Sequence, residues 1–381
     1  MDLPDPTPER YPAREVDERD TCECGRAKTQ RASPMVLAPK SVVTSPWGAN
    51  RGHLSRGLPP RPGAVLDPRW VLGLQRLAGN ASVSALLMPP VIPSEPHVQR
   101  KIIVGGKEYT PSPKYLTWLK ATYSDAMVEF VNDMYNGGKS PDFSFSSYTE
   151  MGNEVRMRYH IIQGIGEVHK GCCSYPTGGG DGALDTAYWD KVGPFQFTMK
   201  SPLPAGKGPS DAIDAIFKSG AGTQLECNST MVAIQYRAML QTLGPATFNK
   251  KFPAGAGVII SPHHRPPSGV AKHPIWDKKL YKEVSITSSA DLMPGDWVYF
   301  KNIDDYIAKH PGGLWSGEHT LYLGGGLFRG FGVPEVSEAD LRQRLLDAYN
   351  TGLPPADQKT RADVPGLQDY ARRPVIKEVL K

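Results

Sequence analysis

The stretch Gln224 to Leu243, QLECNSTMVAIQYRAMLQTL, constrains the fold more than any other part of the chain. Met231, Ile234, Ala238, Met239 and Leu243 recur at three- and four-residue spacing, the period of a helix that buries one face. The polar run Glu226-Cys227-Asn228-Ser229-Thr230 opens the segment, so Cys227 falls in its first turn. Further on, LMPGDWVYF (Leu292 to Phe300) predicts a turn on Pro294-Gly295 and then a strand. After a polar loop, Glu318-His319-Thr320-Leu321-Tyr322-Leu323 predicts a second strand, closed by Gly324-Gly325-Gly326. These elements predict an α+β fold in which helices pack on an antiparallel sheet.

Other segments fill in the same picture. KIIVGGKEY (Lys101 to Tyr109) predicts a hairpin around Gly105-Gly106. Leu116, Leu119, Tyr123, Met127, Phe130, Val131 and Met134 lie on one helical stripe that ends at Asn136-Gly137-Gly138. Tyr148 to His169 and Asp211 to Phe217 predict two more helices. Upstream the texture changes. Residues 1–100 are rich in Pro, Arg, Asp, Glu and Ser, with too few clustered apolar positions to offset chain entropy. They are expected to form a disordered leader, interrupted by a short helical segment in RWVLGLQRLAGNASVSALL, ahead of a catalytic domain over 101–381.

Position gives Cys227 its chemical interest. Backbone N–H groups and the helix dipole at a helix start stabilise a thiolate and offer donors to an oxyanion. The other cysteines read differently. Cys22 and Cys24 lie in the leader with no zinc-spaced partners, and the vicinal Cys172-Cys173 beside a Gly-rich turn read as loop thiols. A helix-start cysteine followed by a Pro-Gly-Asp strand and a strand opening on Glu318-His319 has the order of a papain-like thiol enzyme. It resembles the cell-wall amidases and peptidases of the NlpC/P60 type.

A closer resemblance runs from about Gly193 to Gly332, to the spore-coat protein-glutamine gamma-glutamyltransferases of bacilli. It rests on Leu225-Glu226-Cys227, on Gln241-Thr242-Leu243-Gly244 with Phe248-Asn249, on Val298-Tyr299-Phe300-Lys301-Asn302, and on Trp315-Ser316-Gly317-Glu318. The resemblance implies that Cys227 is the nucleophile and Glu318 the acidic catalytic residue. The family's histidine falls thirteen residues after Glu318, where this chain has Phe331. A phenyl ring cannot relay protons. The base is therefore open between Glu318 and His319, which point to opposite faces of a regular strand. His263-His264, in a Pro-rich loop, is an outside candidate. Leu74-Gln75-Arg76-Leu77-Ala78-Gly79-Asn80 resembles a motif near the N-terminus of proteins associated with bacterial extracellular contractile injection systems.

The expected reaction is acyl transfer from a protein glutamine to a lysine amine or to water, with no metal and no cofactor called for. The competing readings are a cysteine peptidase or amidase, and a non-enzymatic cargo with a degenerate fold. The leader resemblance implies a protein made in a bacterial cytoplasm, loaded into an injection particle through residues near Leu74–Asn80, and delivered to a target cell. A net charge of +5 with no basic, aromatic-interleaved run argues against nucleic-acid binding. No stretch of about 18 apolar residues predicts a membrane span. The first residues, Met1-Asp2-Leu3-Pro4-Asp5, do not read as a secretory signal.

Overall fold

The structure, a computed structural model, describes residues 102–136, 143–176, 180–218, 220, 222–255, 258–262 and 281–374. The leader with its Leu74–Asn80 motif, Cys22, Cys24 and the His263-His264 pair lie outside these residues.

The described chain opens on a hairpin of β1 (Ile102–Val104) and β2 (Lys107–Tyr109). Gly105 and Gly106 turn it at φ 58° and 76°, the left-handed region that glycine enters without strain. The apolar stripe over 114–135 is carried by two helices rather than the one expected, α1 (Pro113–Thr122) and α2 (Asp125–Asn136). Tyr123 leaves helical geometry at φ −121° and ψ −85°, and acidic Asp125 starts afresh at a favourable N-terminal position. Leu119, Met127, Phe130 and Val131 still share one core, so periodicity alone does not register the break. β3 (Phe143–Phe145) pairs in parallel with β1.

α3 (Tyr148–Glu167) starts on the Ser147 cap and widens at its end into a π-helical turn over Val168–Cys172. β4 (Cys173–Ser174), β5 (Trp189–Gly193), β6 (Gln196–Met199), α4 (Pro209–Ile216) and β7 (Thr223–Gln224) follow. Next come α5 (Cys227–Leu243), α6 (Pro245–Lys251) and β8 (Ile259–Ile260). β4 pairs in parallel with β7, and β5, β6 and β8 form a small antiparallel sheet. α3 and α5 run side by side because Gly164 has no side chain there; a Cβ would lie 3.0 Å from Ile234 Cγ2. α5 is buried nearly all round, from Ser229 through Thr242. Cys172 and Cys173 are buried, not loop thiols: the helix end and β4 fold them inward, against the Ile216 carbonyl in the case of Cys173.

The largest sheet is antiparallel throughout, built from β9 (Tyr281–Ser285), β10 (Trp297–Lys301), β11 (Gly317–Gly324), β12 (Leu327–Gly330), β13 (Val336–Ser337), β14 (Gly366–Leu367) and β15 (Tyr370–Pro374). Its order is β13-β12-β11-β10-β15-β9, with β14 also on β10. α7 (Tyr306–Lys309) lies in the β10–β11 connection and α8 (Glu338–Asn350) follows β13. Strand alternation divides the side chains between two cores. Trp297 and Leu321 join the core built with α5, while Val298, Phe300, Tyr322 and Phe328 join a second core with Leu341 and Leu345 of α8.

A buried ionic cluster locks this sheet to α3. Asp296, fully buried, accepts from Arg158 Nη1 at 3.1 Å and from Arg373 Nη2 at 2.7 Å. Arg158 also binds Glu154 at 3.0 Å and the Pro294 carbonyl at 2.7 Å. Two carboxylates thus balance two guanidinium groups away from water, an arrangement stable only while complete. In the sequence Pro294-Gly295 marks a turn and a strand follows, and nothing there signals this role for Asp296.

Candidate active site

Cys227 is the first residue of α5, and Glu226 is its N-cap. The Glu226 carboxylate accepts from the amides of Asn228, at 2.8 Å, and Ser229. It also accepts from the Cys227 thiol at 3.5 Å. The helix-start donors expected to stabilise a thiolate are therefore occupied by an anion that itself borders the sulfur. The outcome is the reverse of the expectation. Burial, then the charges of Glu318 and Glu226, push the Cys227 thiol well above its ordinary proton affinity. One influence opposes them: the His319 backbone N–H is directed at the sulfur.

The reason lies in the register of the sheet. β12 ends at Gly330, opposite Thr320, while β11 continues back through His319 and Glu318 to Gly317. The pairing of β11 with β12 stops there, and the next amide of β11, that of His319, is directed at Cys227 at the start of α5. The two sequence candidates consequently meet Cys227 by different parts. The His319 ring lies on the face of Trp297 and Tyr299; its Nδ1 accepts from Trp297 Nε1 at 3.0 Å, and its ring centroid is 4.6 Å from that of Tyr299.

Glu318 turns its carboxylate to the end of β12. Oε1 accepts from Gly332 N at 3.1 Å, and the Phe331 amide also donates to the carboxylate. A Cβ on Gly330 would collide with Oε1 and force the Glu318 carboxylate out of this position. Burial pushes Glu318 up from 4.5 to about 7, against the pull of the two amides, with Glu226 raising it further. The Phe331 side chain faces Tyr175, ring centroids 6.1 Å apart. Tyr175 and Tyr299 flank the centre; burial first, then the nearby carboxylates and thiol, push each to about 12. Neither tyrosine was singled out from sequence, since their neighbours in space are distant in the chain. Among the described residues no group of three or more His, Cys, Asp or Glu side chains is arranged to hold a metal ion.

A thiol and a carboxylate that titrates near neutrality, enclosed together beside a backbone donor, can exchange a proton while the sulfur attacks an electrophile. The chain belongs to the protein-glutamine gamma-glutamyltransferase family, whose profile matches residues 102–354. It is 29% identical over 196 residues to the protein-glutamine gamma-glutamyltransferases of Bacillus cereus and Bacillus anthracis strains, a match covering 51% of this chain and 62% of theirs. With the enzyme of another Bacillus cereus strain the same identity extends over 232 residues, 61% of this chain and 74% of that one. Among solved structures, a transglutaminase from Geobacillus stearothermophilus, without its C-terminal extension, superimposes with a TM-score of 0.45 at 20% identity. That superposition covers 61% of this chain and 96% of the other.

Proposed function

We propose that this protein transfers the acyl group of a protein glutamine through a thioester on Cys227, with Glu318 as the general base. The observation that carries the reading is the Glu318 carboxyl: buried beside the thiol and raised to about 7, it is matched to proton exchange at neutral pH. The Glu318 carboxylate takes the thiol proton as the sulfur attacks the glutamine carboxamide carbon. The proton then passes to the nitrogen, ammonia leaves, and the thioester remains. A neutral lysine amine, or water, gives a proton to Glu318 and attacks the thioester, and the proton returns to the departing sulfur. Family membership supports the glutamine as acyl donor.

His319 enters this scheme through its main chain. Its amide, directed at the sulfur, favours the thiolate that attacks, and its ring accepts from Trp297. A helix-start thiol served by a sheet edge is papain-like in plan. The test is incorporation of a labelled primary amine into casein by wild type, Cys227→Ala and Glu318→Gln. Label incorporated by Cys227→Ala at the wild-type rate would refute the nucleophile, and full activity of Glu318→Gln would refute the base.

The Leu74–Asn80 resemblance supports a second proposal: that the leader delivers the enzyme, made in a bacterial cytoplasm, to a target cell through an injection particle. Deleting residues 1–95 should keep amine incorporation and abolish co-purification with the particle. Loading of the truncated protein at full yield would overturn it.

A further inference from the structure

We propose that His169 is a positioning residue of this centre: by holding the Gly330 carbonyl it fixes the turn whose amides bind the Glu318 carboxylate. This rests on the reading of Glu318 as the base. His169 stands on the π-helical turn that ends α3, a turn closed by Gly171 at φ 93°. The wider turn brings its ring to the end of β12, where Nε2 lies 2.6 Å from the Gly330 oxygen. At that separation the nitrogen carries the proton and donates. The last turn of α3 runs close to the same strand, since a Cβ on Gly166 would lie 3.5 Å from Arg329 Nη1 of β12.

Gly330 is followed directly by the two residues that serve the base. The Gly330 amide donates to the Val333 carbonyl at 3.0 Å, closing a tight turn, and the amides of Phe331 and Gly332 inside it point at Glu318. These two amides are the influences that favour ionised Glu318 over its buried acid form. The orientation of the turn therefore offsets part of the rise in proton affinity that burial imposes on the base. The chain leaving the His169 segment also meets the turn, through the Tyr175 ring beside that of Phe331. The titratable groups that face Glu318 are Cys227 and Glu226 at the start of α5, Tyr175 after β4, and Tyr299 on β10. Both tyrosines titrate near 12, outside the range of the assay.

The test compares the full-length wild type with His169→Ala and His169→Gln, whose amide can donate with similar reach. Two readouts are followed: kcat/KM for amine incorporation against pH, and the Glu318 carboxyl titration by NMR of glutamate-labelled protein, assigned with Glu318→Gln. For His169→Ala we expect kcat/KM at pH 7 to fall about three- to tenfold, KM for the glutamine substrate to stay within about twofold, and the acid limb and the Glu318 titration both to move upward. His169→Gln should restore both. An unshifted Glu318 titration in His169→Ala, or equal impairment of the two variants, would overturn the proposal. If wild type incorporates no amine, the proposed function fails while the NMR titration still decides the role of His169.

Discussion

Replacing Glu318 by Gln should make the protein more stable at alkaline pH while removing the proposed base. The folded-state proton affinity of Glu318 is raised, from 4.5 to about 7. Between those values the folded protein retains a proton that the unfolded chain releases. Wild type therefore loses stability as pH rises through this window, and the deficit is constant above it. Each tenfold change in proton affinity is worth about 1.4 kcal/mol, so the interval amounts to about 3 kcal/mol. The residue is 6% exposed, so solvent screening discounts this little. Cys227 does not titrate in the window, because its thiol is held well above it. A glutamine can still accept from the Phe331 and Gly332 amides through its Oε1, and it carries no charge to desolvate. At pH 8 Glu318→Gln should thus exceed wild type by up to about 3 kcal/mol, or roughly 5–10 °C in Tm. The difference should vanish below pH 4.5. Urea unfolding and thermal melts at pH 4.5 and pH 8 measure it. A variant less stable than wild type at pH 8, or offset by the same amount at both pH values, would refute the account of Glu318 as a buried, destabilised base.

Three further outcomes follow from the same geometry. Wild-type kcat/KM should rise with pH through about 7 as Glu318 ionises, and a flat profile between pH 5.5 and 8.5 would remove Glu318 from the mechanism. Glu226→Gln withdraws one of the negative charges bordering Cys227, so its thiol should ionise more readily and react with iodoacetamide faster at pH 8; an unchanged or slower rate would contradict that electrostatic role. Asp296→Ala strands the buried Arg158 and Arg373, and chemical denaturation should report a loss of about 3–5 kcal/mol, against which a loss below about 1 kcal/mol would show that the cluster is not load-sharing.

The helix bearing Cys227, the strand after Pro294-Gly295 and the strand over 318–323 were all legible, because each is marked by its own periodicity and turn residues. Cys227 stood out by its place in the first turn. What serves it was less legible. A strand pattern assigns Glu318 and His319 to opposite faces, and on that ground only one could reach the thiol. Both do, because His319 contributes a backbone amide and Glu318 reaches around the end of a shorter neighbouring strand. Main-chain donors carry no side-chain signature, and the end of β12 at Gly330 is a fact of pairing rather than of composition.

The sign of the effect on the thiol divides the two levels most clearly. The chain alone determined that a cysteine opens a buried helix beside Glu226, and from that the helix dipole argues for a lowered proton affinity. Tertiary structure decided otherwise, through three circumstances set by packing: the Glu226 carboxylate caps the helix amides, Glu318 brings a second negative charge, and both sit where water is excluded. Electrostatic interactions depend on separation and surroundings. Local sequence settles which groups lie next to one another along the chain, and only the fold settles how far apart, and how dry, the others are.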